Sequence, residues 1–329
     1  MSEFRLTLSI PGSRMAAPDS ALPALPGLRR LVARARRLAA PPAGVAAGPA
    51  PAQGALAALG DSVEAGDRPW FRAEPVHLQV ATDHLVLQDS TVLALADDEA
   101  VALIEAFNAF FEDDQARLVR GHSGAWYLSP GWLPDIRVAP LAAVIGRNIY
   151  PHMPSGPDAA RWRSFLSEIE MLLHQQPVNA MREARGLPTV NSLWCWGGGH
   201  LPEQVAALPW DRLLSDDPAW RGLAELAGVP TASLPRDAAD WLSREPAACE
   251  RVILSGLELA AGHGSESWAE TLERMDSEWF SPLLVALREA ELERLWLDID
   301  GEGWEVHRRD LRRFWRRRPL EEVLCRSAG

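Results

Sequence analysis

The sequence has no lysine; all 33 of its basic residues are arginine. Together with the abundance of Ala, Pro and Gly, this points to a GC-rich bacterial genome and carries no mechanism. An excess of positive charge is also missing. With 45 acidic residues the net charge is −12, which argues against nonspecific partners such as nucleic acid or an anionic membrane, although a local basic patch stays open. Cysteine is scarce. Cys195, Cys249 and Cys325 are too widely spaced for a metal motif or a disulfide framework, which fits a reducing cytoplasm. No apolar run approaches the roughly 18 residues of a membrane span, and no signal peptide precedes the first strand. What remains is a 329-residue cytoplasmic chain, 47% hydrophobic and 24% charged, long enough for a large core and one or two domains.

The chain is organised around Val190–Gly199, VNSLWCWGGG. Its first half is a short apolar run with Trp194 and Trp196 in alternation, and its second half is three glycines. The pattern predicts a strand followed by a glycine-rich turn. The structural reading is a buried strand and a tight turn. The functional reading is a turn shaping a site at a strand's carboxyl end, where open α/β sheets bind ligands. Gly-Gly-Gly lacks the spacing of a phosphate-binding loop.

In chain order, Phe4–Ile10 alternates as a first strand, and Leu25–Leu38 has helical spacing with a basic face. Ala39–Gln53 is a Pro/Ala/Gly loop or linker. Strands are expected at 76–80, 84–87, 117–119 and 125–128. Asp97 is expected to cap a helix over 98–111. Helices follow at 164–174 and 179–185. After the glycines, short helices are expected at 204–208, 220–227 and 238–242, with strands at 251–254 and 294–299. A long helix over 268–290 should break near Pro282. Strands alternating with helices at both ends, around a mixed middle, predict a doubly wound α/β sheet with an inserted α+β domain. The expected division is 1–64 and 191–329 for the α/β core, with 65–190 as the insert.

Asp98-Glu99-Ala100, Asn108, Ile145-Gly146-Arg147, Met153–Gly156, the run His174–Asn179, Arg182, Gly186 and VNSLWCWGGG occur in one order. In that order the chain resembles the inserted domain of archaeal-type cofactor-independent phosphoglycerate mutases, of the alkaline phosphatase superfamily. Leu272, Asp276 and Pro282-Leu283-Leu284 resemble a long helix of those enzymes, and Leu295–Asp300 resembles a strand leading to a metal site. A bacterial group of RpfE-type regulatory proteins looks nearer still. The resemblance implies an alkaline-phosphatase-like fold. For an active member it also implies two divalent metals, held by Asp and His, and a hydroxyl nucleophile. Those residues are missing at the matching places. The first strand ends in Ser9-Ile10-Pro11-Gly12-Ser13 without an Asp-Gly turn, Ser62 is the only hydroxyl near the nucleophile segment, and Asp300-Gly301 stands where an Asp-His pair belongs. Ala261-Gly262-His263 lacks its aspartate.

The expected function is therefore a degenerate, phosphoglycerate mutase-like regulatory or binding protein without cofactor, metal or catalytic residues. The alternatives are an active metal-dependent mutase or phosphatase, and an interaction scaffold without a small ligand. An anionic or phosphorylated small molecule is the expected ligand. Its candidate site is Asn179, Arg182, Asn191 and Gly197, Gly198 and Gly199, with Arg182 as a bidentate fork. The competing reading makes the two asparagines braces and Arg182 half of an internal ion pair. His263 and His307 read as ordinary histidines, Asp298 and Asp300 as turn residues, and Cys195 as packing. Trp304, Phe314 and Trp315, interleaved with Arg308, Arg309, Arg312, Arg313 and Arg316–Arg318, form a basic-aromatic tail. That tail folds back on the acidic body or docks a protein partner; nucleic acid is the less expected partner.

Overall fold

The computed structural model describes residues 5–13, 22–38, 52–81, 84–245, 247–313, 315–316 and 318–324. Most of the Pro/Ala/Gly tract, together with Phe314, Arg317 and Cys325, lies outside these. The described strands are β1 (Arg5–Ile10), β2 (Arg36–Arg37), β3 (Trp70–Val80), β4 (Leu85–Gln88), β5 (Arg117–Arg120) and β6 (Trp126–Ser129). They continue with β7 (Ser192–Gly199), β8 (Arg212–Leu214), β9 (Thr231–Ala232), β10 (Cys249–Ile253), β11 (Arg294–Ile299) and β12 (Glu302–His307). By their contacts the residues form two units. The first holds 1–48, 204–217 and 224–329; the second holds 49–203 and 218–223. No described helix is long and apolar enough to cross a membrane.

The first unit is built on a seven-stranded sheet in the order β2-β12-β11-β1-β10-β8-β9. Its centre is parallel, with β1 between β10 and β11, and β12 returns antiparallel along β11. Side chains alternate across a sheet. On one face Leu6, Leu8, Ile10, Val252, Leu295 and Leu297 join the core against helices 26–34 and 281–289. On the other face lie Thr7, Ser9, Arg251 and Asp298, all buried. The expected long helix is present as 265–275 and 281–289, joined by a π-helical stretch over Asp276–Phe280. Pro282 sits in the first turn of the second piece, where its missing N–H costs no hydrogen bond. Asp276 is buried and accepts from the N–H groups of Gly27 (3.0 Å) and Leu28 (2.6 Å). It thereby caps helix 26–34, whose own cap residue, Leu25, supplies no side-chain acceptor.

The second unit carries a five-stranded antiparallel sheet in which long β3 pairs with β4, β6 and β7. The sequence division ends the insert at 190, but β7 pairs with β3 over Trp70–Val76, so 191–203 group with this unit. β7 is covered on both faces. Leu193 and Cys195 enter one apolar cluster, whereas Trp194 and Trp196 pack on another with Val76, Leu141 and Ile145. The three glycines are strand rather than turn. Gly197 takes φ +66° where the pairing register shifts, a bulge that favours glycine. A Cβ at Gly198 would lie 2.1 Å from the Phe71 ring. Asp97 falls inside helix 97–110 and is not its cap; Glu99 turns back to accept from the Ala96 N–H (3.1 Å). The expected helix at 204–208 is absent; Pro209 disfavours the helical conformation at Leu208 before it.

Candidate functional site

In parallel sheets ligands collect at the carboxyl ends of the strands. In the first unit that edge is filled by the protein's own groups. Arg251, 0% exposed, donates from Nε to Ser9 Oγ (2.9 Å) and from a terminal nitrogen to Asp298 (2.8 Å). Its guanidinium lies 4.5 Å from the Trp210 ring centroid, a cation–π stack on a desolvated charge. Ser9 Oγ also donates to Asp298 (3.1 Å), and Asp298 accepts the Gly301 N–H (2.9 Å). Burial pushes the Asp298 carboxyl up, against the pull of Arg251, Ser9 and the Gly301 amide. Burial likewise pushes Arg251 down to about 10, opposed by Asp298. Asp300 stands at φ +47° and accepts from Gly12 N–H (2.7 Å) and Ser13 Oγ (3.0 Å). Glu258 crowds the same turn, since a Cβ on Gly12 would meet Glu258 Cγ at 2.4 Å. Its carboxyl is raised by burial and then by Asp300 and Asp217.

These residues do not fit the two divalent metals that the resemblance implies. Hard cations need several oxygen or nitrogen ligands converging on each ion, and among the described residues no group of three or more His, Cys, Asp or Glu side chains could hold one. Asp298 is matched by a guanidinium and Asp300 by a main-chain amide and a hydroxyl. His307 Nε2 sits 3.3 Å from Glu305, as an ordinary histidine would.

The residues expected to bind an anion do not converge. Asn179 is buried; it donates to the carbonyls of Leu173 (2.7 Å) and Val190 (2.8 Å) and accepts the Val190 N–H (2.9 Å). Asn191 exchanges both amide hydrogen bonds with Leu78, at 2.7 and 3.0 Å. Arg182, 1% exposed, pairs with Glu99 and donates to the carbonyls of Pro188 and Leu93. Gly197, Gly198 and Gly199 lie at the far end of β7, roughly 20 Å from Asn191 at the rise of a strand. Asn179 thus braces the turn between helix 177–184 and β7, Asn191 ties the start of β7 to β3, and Arg182 ties the helix to Leu93 and Glu99. Cys195 is buried, and burial followed by the nearby Glu74 charge pushes its thiol up, so it is no nucleophile.

The second unit does contain an open, polar cavity of about 280 Å³ that the sequence did not single out as a site. Asp61, Ser62, Glu64, Arg117, Arg120 and His122 contribute to its lining. Its floor is fixed. Asp61, 2% exposed, accepts from Ser123 N–H (2.7 Å), Ser123 Oγ (2.6 Å) and Tyr127 Oη (3.0 Å). Burial holds the Tyr127 hydroxyl protonated, well above its ordinary range, although the Arg72 charge pulls the other way. Ser62 takes φ +62°, rare for a residue with a side chain. Arg120 pairs with Asp97 (2.5 Å), and Arg117 and His122 are exposed at the mouth. The only sequence signal was Ser62, met as a stray hydroxyl; the basic partners sit on a hairpin some 60 residues on, |i−j| being 62 for the Asp61–Ser123 bond.

No family model matches the chain. It is similar to a probable 2,3-bisphosphoglycerate-independent phosphoglycerate mutase of Geobacter sulfurreducens, 26% identical over 140 residues, 41% of this chain and 34% of the relative. The corresponding mutase of Methanothrix thermoacetophila is 34% identical over 68 residues, 21% of this chain and 17% of the relative. A second such mutase of Methanothermobacter thermautotrophicus is 30% identical over 107 residues, 32% of this chain and 26% of the relative. The matched segments span about a third or less of each curated relative. Among solved structures, a protein of Pyrococcus horikoshii aligns with TM-score 0.50 at 14% identity, covering 93% of this chain and 87% of that one. A cofactor-independent phosphoglycerate mutase of Thermoplasma acidophilum aligns with TM-score 0.40 at 15% identity, over 93% and 89%. The Pyrococcus alignment bears out the α/β architecture. The curated sequence matches are all to cofactor-independent phosphoglycerate mutases.

Proposed function

We propose that this chain is a phosphoglycerate mutase-like protein that binds a phosphorylated or otherwise anionic small molecule without turning it over, in a regulatory role close to that of the RpfE-type proteins. The observation that carries this reading is the strand edge of the first unit. There Arg251 neutralises Asp298 and Asp300 accepts from the Gly12 turn, so both carboxylates are engaged by the protein's own groups. The cavity of the second unit supplies what an anion needs: Arg117 as an exposed charged donor, with His122 and the Ser62 hydroxyl beside it and Arg120, held by Asp97, at its wall. It requires no cofactor, and a cytoplasmic protein suits a phosphorylated metabolite.

The second reading, an active mutase or phosphatase, is favoured by the relatives, which are named as enzymes. Purified protein with Mn²⁺ and 3-phosphoglycerate separates the two. We expect no turnover above background; turnover that a chelator abolishes defeats the binding reading. A thermal-shift series with 3-phosphoglycerate and inorganic phosphate then tests binding, since a ligand of the native state raises apparent stability as RT ln(1 + [L]/Kd). Arg117→Ala should remove that shift and leave the unliganded melting temperature unchanged. An absent shift in the parent protein favours the scaffold without a small ligand.

A further inference from the structure

The helix Gln53–Gly60 ends at the cavity of the second unit, with Asp61 as its cap residue. Beyond the cap, Ser62 N–H donates to the Leu59 carbonyl (3.0 Å) and Val63 N–H to the Ala58 carbonyl (2.9 Å). In this kind of helix ending the left-handed position, here Ser62 at φ +62°, ordinarily goes to glycine, because a Cβ there crowds the following carbonyl oxygen. The chain keeps a hydroxyl at that position, and Ser62 contributes to the cavity lining. Two other lining side chains carry opposite charges. Glu64 and Arg117 are both exposed, and neither makes an ion pair with the other or with any described residue. The remaining charges of the lining are engaged: Asp61 accepts from Ser123 and Tyr127, and Arg120 pairs with Asp97.

We infer that the cavity takes a small dipolar molecule, a phosphate ester that also carries a primary ammonium, with the phosphate at Arg117 and the ammonium at Glu64. This assignment rests on the cavity being an anion site, as proposed above, and adds the second charge. The two walls differ in sign. One is built from the carboxyl end of the helix Gln53–Gly60 and from Glu64, and that end of a helix carries partial negative charge and favours cations. The other is built from β5 and the turn that leads to β6, with Arg117, Arg120 and His122; a guanidinium fork matches phosphate oxygens. A ligand with two anionic ends would set the second against Glu64, whereas an amine-bearing phosphate satisfies both walls. The Ser62 hydroxyl can donate to the phosphate or accept from the ammonium. The volume of about 280 Å³ is that of roughly nine waters at about 30 Å³ each, room for a small metabolite. The net charge of −12 opposes approach to anionic membranes, so the ligand is a free ester rather than a lipid headgroup.

The test titrates the full-length protein, by calorimetry, with ethanolamine phosphate, glycerol 3-phosphate and inorganic phosphate. Ethanolamine phosphate should bind about tenfold more tightly than the other two. Glu64→Gln should erase that preference, weakening ethanolamine phosphate about tenfold and leaving inorganic phosphate unchanged, whereas Arg117→Ala should weaken all three. Both positions are exposed, so these variants should keep the parent's melting temperature. Ser62→Gly should weaken ethanolamine phosphate several-fold yet hold or raise the melting temperature, because glycine suits the left-handed backbone. If none of the three probes binds, the anion site fails and the dipolar ligand with it. If inorganic phosphate binds but ethanolamine phosphate binds no better than glycerol 3-phosphate, or if Glu64→Gln keeps the preference, the anion site stands and the dipolar ligand is overturned. Binding to phosphatidylethanolamine vesicles without binding of the free ester overturns the free molecule as the ligand.

Discussion

Arg251 and Arg182 are 0% and 1% exposed, one in each unit, and each meets one carboxylate. Their surroundings differ. Arg182 stands at the end of helix 177–184, and besides Glu99 it reaches the Pro188 carbonyl of the adjoining turn and the Leu93 carbonyl of a distant segment. Arg251 stands within β10, and its partners are Ser9 on β1, Asp298 on β11 and the face of Trp210. The first ties the end of helix 177–184 to its adjoining turn and to the 93–99 segment, away from any strand end. The second ties together the central parallel strands β1, β10 and β11 at the edge where open α/β sheets bind ligands. A buried arginine marks a functional place only when its position in the fold is one that collects ligands; burial and a carboxylate partner do not distinguish the cases.

The largest expected effect tests the Arg251 side of that contrast. Arg251→Ala leaves Asp298 buried without its cation and should cost about 3–5 kcal/mol of unfolding free energy, measured by urea denaturation. Arg251→Met combined with Asp298→Leu should recover most of the loss, because a well-packed apolar pair avoids desolvating two charges. A single variant that loses under about 1 kcal/mol, as an exposed pair would, means the strand ends do not depend on it. Arg182→Ala should cost less, about 2–3 kcal/mol, and leave any ligand-induced thermal shift in place; loss of that shift would restore Arg182 to the binding site.

Carboxylates sharpen the comparison further. Glu305 is pushed up by burial, but the Trp296 indole N–H, Arg36 and His307 outweigh this and hold it at about 2. Because its folded value lies below the ordinary glutamate range, its stabilising contribution is present above that range and fades as pH falls toward about 2. The melting-temperature difference between the parent and Glu305→Gln should thus shrink from pH 7 to pH 3; a constant difference refutes the assignment. Asp298 has the opposite sign: its raised value favours the fold at low pH, and this contribution is lost as pH rises. The smallest effect is chemical. The native protein at pH 8 should leave Cys195 unmodified by iodoacetamide, while partly exposed Cys249 reacts; peptide mapping by mass spectrometry reads both.

Much of the architecture was legible because it rests on local pattern. Alternation in Arg5–Ile10 and Arg294–Ile299, and helical spacing around Leu103 and Phe107, are set by neighbours a few residues apart. β12 was missed because Glu-Gly-Trp-Glu-Val-His pairs a glycine and two glutamates with single apolar residues, and Glu305 is buried only through partners such as Trp296 and Arg36. The glycine triplet misled because side chains there would meet Phe71 on β3 and Ala52 at the start of helix 53–60, neither of which is near in sequence. The site was less legible still. Arg182 drew notice because it stands in a recognisable run, whereas Arg251 looks like a stray charge before an apolar stretch, with its partners 242 and 47 positions away. The Asp61 cavity depends in the same way on a distant hairpin.

The placement of β1 between β10 and β11, with Asp276 capping the helix that follows β1, also sets an order of events during synthesis. The five strands of the second unit are complete once residue 199 has been made, so that sheet can form while the chain is still growing. β1 is made before β10 and β11 and has no neighbour until Cys249–Ile253 and Arg294–Ile299 arrive. At about 5–20 residues per second that is a wait on the order of 15–60 s. Through it, Leu6, Leu8 and Ile10 present an unpaired apolar edge to the cell, and a strand made before its neighbours waits for both of them.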